Sequence, residues 1–290
     1  MPTRHRNHNG YLLRWDGVGL LFDPGEGTQR QMIHAGVSAS QLHHICVTHF
    51  HGDHCLGLAG LVQRLSLDGV PQTVRVHYPA SGQVYYERLR HASLFQDKAR
   101  VLPCPIRAPG PQPTDGAFTL TALPLAHTVP AWGYRVDEPA GRRLLPERLE
   151  AAGVVGAARA RLARDGAVEV GDRVVTVDEV SAPRPGQSVA VVMDTAVCPN
   201  ALELARGVDL LLIESTYLDD DEAEAADRGH LTARQAARIG REAGARRVVL
   251  THFSQKHPDL APFLAQAGEE HPDVLAVSDG DVVPLPPRRA

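Results

Sequence analysis

Three histidines and an aspartate, His49, His51, Asp53 and His54, stand within six residues in the run THFHGDH from Thr48 to His54. Neutral imidazole nitrogens beside a carboxylate make a ligand set for a divalent cation, because crowding such groups costs stability unless a cation compensates them. His49 and His51 are two apart, so an extended backbone points both rings to one side. Gly52 then lets the chain turn, and Asp53 and His54 can aim at a second point close by. Side chains that alternate in direction on one turn suit two adjacent ions better than one. Nitrogen and oxygen donors with no cysteine pattern favour zinc, with manganese or iron as alternatives. A lone histidine would be read as a hydrogen-bonded core or surface ring; four ligand-type side chains together reverse that reading.

The elements that must position this set share one habit. Five apolar stretches each end on a polar, ligand-type residue: ICVT before His49, LPLA before His127, SVAVVM before Asp194, VDLLLI before Glu214 and RRVVLT before His252. In layered α/β folds functional groups gather beyond the carboxyl ends of strands, so these endings assemble one site from distant parts of the chain. Glu214 is read as orienting an imidazole or as a plain carboxylate at the core edge. His230 precedes a helix whose apolar or small face includes Ala233, Ala236, Ala237 and Ile239, and on spacing alone it is as well explained as a helix-start residue.

Between these points, GYLLRWDGVGLLF predicts a hairpin around Asp16-Gly17. A short helix follows, with Thr28 as its cap and Met32 and Ile33 facing inward. His43 and His44 are read as solvent-facing or supporting residues, not ligands. Helical spacing covers Leu56 to Leu67, a strand Thr73 to Tyr78, and a helix Gln83 to Phe95. A Pro-rich connection from Pro103 to Pro113 leads to a strand over AFTLTALPLA, and the acidic run DDDEAEAAD reads as solvated. The segment from Glu138 to Val170 breaks the rhythm. It holds Arg142, Arg143, Arg148, Arg159, Arg161 and Arg164, with only Glu147 and Glu150 between the first and last of them. It is a candidate phosphate-contacting arm, though an exposed helix face would look the same.

A chain of 290 residues, 43% hydrophobic, can bury a full core as one domain or two. Its formal charge of −4 and pI near 6.4 exclude a binder driven by bulk positive charge, so any polyanion site needs a local patch. No apolar run is long enough to cross a bilayer and the opening MPTRHRNHNG is polar, so a cytoplasmic protein without membrane partners is expected. The four cysteines are scattered, which argues against a disulfide framework and against a thiolate zinc knot.

These residues also resemble a known family. HxHxDH at His49, His51, Asp53 and His54 resembles the metallo-β-lactamase superfamily. DPGEGTQRQM, THFHGDHCLGLAGL, HTVPAWGYR, MDT, GHLTARQAA and LTHFSQK, in that order, resemble ribonuclease Z within it, the endonucleases that trim the 3′ trailer from precursor tRNA. The resemblance implies an α/β, αββα sandwich as a single domain over residues 1–290, with an inserted tRNA-binding arm at about 138–170, usually as a homodimer. It implies two zinc ions per subunit, one held by His49, His51 and His127, the other by Asp53, His54 and His252, with Asp194 bridging. Asp53 would also be the general base, His230 would protonate the departing 3′ oxygen, and Lys256 would meet phosphate, as would Arg142, Arg143, Arg159, Arg161 and Arg164 of the arm. The products would be a 3′-hydroxyl tRNA and a 5′-phosphate trailer. The family's opening strand and LGTG-like turn would precede PTRHRN, the arm reads GVVGAARARL without a Gly-Pro pair, and MDT stands for the commoner GDT. Two other readings share the ligands: a small-molecule phosphodiesterase or arylsulfatase of the same fold, and a tRNA- or metal-binding relative without turnover.

Overall fold

The computed structural model describes residues 2–116 and 118–289, which form two compact units. The first unit comprises residues 1–136 and 188–286. It opens with strands β1 (Tyr11–Trp15) and β2 (Val18–Phe22), joined by the expected tight turn, in which Asp16 and Gly17 both take positive φ. Helix α1 (Thr28–His34), strand β3 (Leu42–Cys46), the single-turn helix α2 (Gly52–Cys55), helix α3 (Leu58–Leu67), strand β4 (Val74–Pro79), helix α4 (Gln83–Arg90) and strand β5 (Val101–Ile106) follow. The five strands form one sheet in sequential order. Strands β6 (Gly110–Gln112), β7 (Thr119–Leu125) and β8 (Ala131–Asp137) begin a second sheet. Ala117, the first residue of the strand expected there, lies outside the described residues.

The second unit, residues 137–187 with 287–290, extends past the 138–170 expected for the insertion. It contains β9 (Gly141–Leu144), α5 (Pro146–Ala151), α6 (Ala157–Asp165), β10 (Ala167–Val170), β11 (Arg173–Thr176) and β12 (Ser181–Arg184). The pairs β10–β11 and β9–β12 are antiparallel ribbons. Leu149, Val154, Leu162, Val168, Val175 and Val180 form its own small core. At its neck the Glu138 amide donates to the Gln187 carbonyl at 2.9 Å, and the buried Glu138 carboxylate accepts from Arg184 and Arg288.

Back in the first unit, β13 (Ser188–Val192), α7 (Pro199–Ala205), β14 (Leu210–Glu214), α8 (Glu222–Arg228), α9 (Ala233–Ala243), β15 (Val248–Thr251), α10 (Ala261–Gly268) and β16 (Val274–Ala276) complete the chain. The second sheet has seven strands in the order β16-β15-β14-β13-β8-β7-β6, and β13 to β16 run parallel. All residues of β13 are buried, as a strand covered on both faces requires. Val189 and Val191 face Leu20, Phe22 and Tyr134 between the sheets, while Ala190 and Val192 pack under α7 and α9. Helices α1, α3 and α4 cover the outer face of the first sheet. The unit is therefore the expected αββα sandwich.

Several local expectations are corrected. Thr28 begins α1 and its hydroxyl donates back to the Gly25 carbonyl; Gly27, at φ 83°, precedes it without a side-chain cap. Met32 faces inward, but Ile33 is 65% exposed. The helix from Gln83 stops at Arg90, whose buried guanidinium pairs with Asp97 and folds the chain back. The Pro-rich stretch includes two strands, β5 and β6. Pro103 and Pro105 are two apart on an edge strand, so their missing N–H groups share the side that no strand pairs. Helix α3 starts at Leu58, not Leu56, which is 49% exposed.

His44 is neither solvent-facing nor near the site. It is fully buried between the sheets, 3.0 Å from His77 through Nδ1 and Nε2, with the rings stacked at 5.3 Å. Burial pushes the His44 imidazole down to about 4 and the His77 imidazole down to about 3. The unfolded chain therefore takes up protons as the pH falls below about 6.5, while the folded chain resists until much lower, so stability is lost as the pH falls through that window. In urea titrations between pH 7 and 4, the double variant His44→Phe/His77→Leu is expected to show a shallower loss of midpoint than wild type. An identical slope would remove this pair as its source.

Candidate metal centre

Asp23 follows β2, Thr48 and His49 follow β3, Ala126 and His127 follow β7, Asp194 follows β13, Glu214 ends β14 and His252 follows β15. The parallel run of β13, β14 and β15 brings three of these to one edge of the sandwich. The backbone of Asp23, Asp194 and His252 lies at φ 50°, 24° and 59°, a region that disfavours residues with a Cβ. Such strain persists only where surrounding bonds over-determine the conformation. Gly25 and Gly57 permit the closest approach: a Cβ on Gly25 would stand 2.2 Å from the Asp53 carbonyl, and one on Gly57 would stand 2.0 Å from the Gly25 carbonyl. The DPGEG turn thus lies directly against the HGDH turn.

The side chains converge as two donor sets sharing one carboxylate. His49 Nε2 lies 3.0 Å from His51 Nδ1 and 3.6 Å from Asp194 Oδ2; His127 Nε2 lies 3.4 Å from His51 Nδ1 and 3.8 Å from the same oxygen. On the other side, Asp53 Oδ2 is 3.7 Å from His54 Nε2 and 3.6 Å from His252 Nε2, and those nitrogens are 3.3 and 3.4 Å from Asp194 Oδ1. Donors bonded at roughly 2.0–2.2 Å to one tetrahedral ion stand about 3.3–3.6 Å apart, so each set has the dimensions of a coordination shell. Asp194 Oδ1 is buried with no hydrogen-bond partner, an orphan that a cation would satisfy. The residues present fit two divalent ions.

What holds these rings in place is a repeated device. Asp23 Oδ2 accepts from His54 Nδ1 at 2.8 Å and from the Thr48 hydroxyl at 2.8 Å, and Thr48 Oγ1 is 3.0 Å from His49 Nδ1. Glu214 accepts from His230 Nδ1 at 2.9 Å and from the Thr216 hydroxyl at 2.6 Å, and Thr216 Oγ1 is 2.7 Å from His252 Nδ1. In each case a buried carboxylate takes one imidazole directly and a second through a threonine. The Nδ1 atoms are committed outward, so the Nε2 atoms face the centre. His127 completes the pattern by donating from Nδ1 to the Gly229 carbonyl at 2.9 Å. Of the two expectations for Glu214, orientation of imidazoles is the one its contacts fit.

Electrostatics follow from this packing. Burial opposes the charged form of Asp194, but His252, His54 and His49 hold its carboxyl well below the usual range. Burial likewise opposes a charged His54, and Asp194 with Asp23 overcomes it, holding the imidazole well above its usual value. His49 is held well below, by burial first and by His54 next. At His230 burial is outweighed by Glu214, and the ring is pushed up to about 9. His230 Nε2 lies 4.0 Å from Asp194 Oδ2 and is directed at the centre without belonging to either donor set. The centre opens into a cavity of about 490 Å³ lined by His51, Asp53, Asp194, His230 and His252.

The seven expected ligands and His230 are thus brought together. Lys256 is not among the residues lining the cavity; its ammonium pairs with Glu224 and Asp221 and lies over the Tyr217 ring, so the acidic run is partly engaged and not simply solvated. In the second unit Arg142 binds Ser181 and Asp178, Arg159 donates to the Val154 carbonyl and Arg164 pairs with Asp165, while Arg143 and Arg161 are exposed. Residues 137–187 carry eight arginines against nine carboxylates, so the segment as a whole is not basic. Sequence reasoning missed the supporting roles of Asp23, Thr48 and Thr216. The same strand-ending rule that marked Asp194 would have found Asp23, since it follows VGLLF.

Residues 3–181 match the family described as the metallo-beta-lactamase superfamily, and residues 158–253 match the beta-lactamase superfamily domain. The chain is 54% identical to ribonuclease Z of Streptomyces coelicolor, over 100% of this chain and 95% of that one. It is 43% identical to ribonuclease Z of Chlamydia trachomatis, over 96% and 91%. Among solved structures it is similar to the short form of human tRNase Z, with a TM-score of 0.69 at 23% identity over 98% of this chain and 95% of that one. The fold protein YhfI of Bacillus subtilis aligns with a TM-score of 0.69 at 18% identity, over 97% and 92%.

Because Asp23 orients His54 and, through Thr48, His49, Asp23→Asn is expected to weaken metal binding by about 10- to 100-fold, as loss of such a supporting carboxylate does elsewhere. Chelator competition monitored by released metal would measure it, and undiminished affinity in a folded variant would refute the supporting role.

Proposed function

The chain belongs to the metallo-β-lactamase superfamily and, within it, to ribonuclease Z, and from that membership and the geometry of the centre we infer how it acts as a hydrolytic endonuclease of tRNA 3′ processing. The observation that carries the reading is Asp194, whose two oxygens each face two imidazoles of a separate donor set. His49, His51 and His127 would hold one zinc ion and Asp53, His54 and His252 the other, with Asp194 between them. When bound, such a pair supplies Lewis acidity to the phosphoryl oxygens and makes water acidic enough to attack at neutral pH.

The chain's own groups do the rest. Asp53, a quarter exposed at the cavity wall, takes the proton of the attacking water. Attack on phosphorus forms the new P–O bond as the bond to the 3′ oxygen breaks. His230, held by Glu214 through Nδ1, presents Nε2 to the cavity and gives its proton to that departing oxygen. A tRNA with a 3′ hydroxyl and a trailer with a 5′ phosphate result. Glu214 is a positioning residue here, since it acts through His230 and His252.

The same reading makes precursor tRNA the substrate, with the unit at 137–187 as the arm that grips it through Arg143 and Arg161. It also makes the chain a cytoplasmic homodimer. Helices α1, α3 and α4 expose Ile33, Leu67 and Tyr85, and the segment after α4 exposes Leu94, an apolar surface suited to a second copy. No described helix is long and apolar enough to cross a membrane.

Asp53→Ala is expected to abolish trailer removal, and His230→Ala to lower it by about 100- to 10,000-fold, the range for a lost acid or base, with near-native circular dichroism in both. Retained turnover by Asp53→Ala would refute the assignment. Arg143→Ala/Arg161→Ala is expected to weaken cleavage of precursor tRNA and to lower its salt dependence, while hydrolysis of a small aryl phosphodiester is unchanged. Equal loss on both substrates would instead favour a small-molecule phosphodiesterase whose insertion only supports the fold.

A further inference from the structure

Two arginines line the cavity, Arg6 and Arg228, and they are committed differently. Arg6 donates to the carbonyls of Phe253 and His257, so its fork is used within the fold. Arg228 ends α8, and the turn behind it is fixed. The His230 amide N–H donates to the Ala225 carbonyl at 2.8 Å and the Gly229 amide N–H to the Ala226 carbonyl at 3.3 Å, a closure that needs a left-handed residue, here Gly229 at φ 68°. The Gly229 carbonyl also accepts from His127 Nδ1. The backbone of Arg228 is therefore anchored two residues before His230, whose Nε2 is directed at the centre. Its guanidinium is held far less. The side chain is 62% exposed and pairs with Glu224 at 3.1 Å across one helical turn. Exposed pairs of this spacing contribute little, so the fork is available to a ligand in the cavity.

Glu224 is placed by other groups. Its Oε2 pairs with Lys256 and its Oε1 accepts from the Tyr217 hydroxyl at 3.3 Å. Lys256 in turn pairs with Asp221 at 3.7 Å and lies 5.8 Å from the centre of the Tyr217 ring. Lys256 is thus matched by carboxylates outside the cavity, and Arg228 faces it beside a fixed negative charge. We propose that Arg228 is a phosphate-contacting residue of the RNA-cleaving site, binding a linkage next to the one that is cut, and that Glu224 is the counter-charge that limits its grip. This rests on the tRNA-processing reading above. Arg228 and His230 leave the same turn, so a strand that presents its departing oxygen to His230 runs past Arg228. A guanidinium fork matches two oxygens of a phosphate where an ammonium offers only a point charge, so the task that the resemblance gave to Lys256 falls to Arg228. A tempered grip also serves turnover, because a product held too tightly slows release.

The test is steady-state cleavage of a precursor tRNA by the zinc-loaded full-length chain at several salt concentrations, for wild type, Arg228→Ala, Arg228→Lys and Glu224→Gln. Arg228→Ala is expected to raise KM by about three- to tenfold with little change in kcat, and to lower the slope of log KM against log salt by about 1. Arg228→Lys, which keeps the charge without the fork, should recover the slope and only part of the KM. Glu224→Gln, which keeps an acceptor for Tyr217 and removes the charge, should lower KM by about two- to fivefold. The Kd for mature tRNA, read by fluorescence anisotropy, should follow the same order. Opposite shifts from the two members of one ion pair are the signature of a ligand contact, since a pair that only braced α8 would move both variants the same way. Shifts in the same direction, an unchanged KM in Arg228→Ala, or an equal loss by Arg228→Ala on a small aryl phosphodiester overturns the proposal. Should Arg228→Ala not fold by circular dichroism, Glu224→Gln decides alone, and a KM that is unchanged or raised in it is the overturning result. A wild-type chain that leaves precursor tRNA uncut sinks the tRNA-processing reading itself, and this inference with it.

Discussion

A carboxylate removed from water must be compensated or it costs several kcal/mol, and this sandwich buries Asp23, Glu214 and Asp194 at one edge, each at most 3% exposed. Asp23 and Glu214 are satisfied by hydrogen bonds. Each accepts a backbone N–H, a threonine hydroxyl and an imidazole N–H. Asp194 is left with an oxygen that no hydrogen bond reaches. The centre is organised so that every other buried charge near it is paid for within the protein, and the one remaining deficit lies where two cations would sit.

The Asp23 and Glu214 arrangements arise on different sheets, one after β2 and the other at the end of β14, yet they repeat the same sequence of atoms: carboxylate, threonine hydroxyl, imidazole. The repetition explains why ligands from both halves can be matched in orientation. Five of the six imidazoles around Asp194 present Nε2 inward, and His51 alone presents Nδ1. The three strained backbone positions, at Asp23, Asp194 and His252, fall on the residues this network pins. Strain there is tolerated because several hydrogen bonds would have to break together to relieve it.

Much of this was legible before the fold was known, and for a physical reason. Strand endings on His, Asp and Glu follow from the geometry of a layered α/β fold, so His127, Asp194, Glu214 and His252 could be found from periodicity alone. HxHxDH needed even less. Residues that act through neighbours left weaker traces. Thr48 and Thr216 look like ordinary strand-end threonines. His44 misled because histidine beside histidine suggests solvent, whereas its position on β3 aims it between the sheets at His77. Pro103 and Pro105 misled because proline argues against a strand unless the strand is an edge, and edge position is a property of the whole sheet. Ile33 is apolar yet exposed, against the inward face that helical spacing gives it.

The neck of the inserted unit has a consequence of a different kind. Its two ends emerge from β8 and β13, which are adjacent in the sheet, and are clasped by the bond between Glu138 and Gln187. A segment that leaves and re-enters a sheet between neighbouring strands can be lengthened, shortened or exchanged while the surrounding pairing stays intact. None of the metal donors lies within it. Descent can therefore rework this unit at a rate independent of the centre, so it is the part of the chain free to vary in size and surface while the convergent side chains are held still.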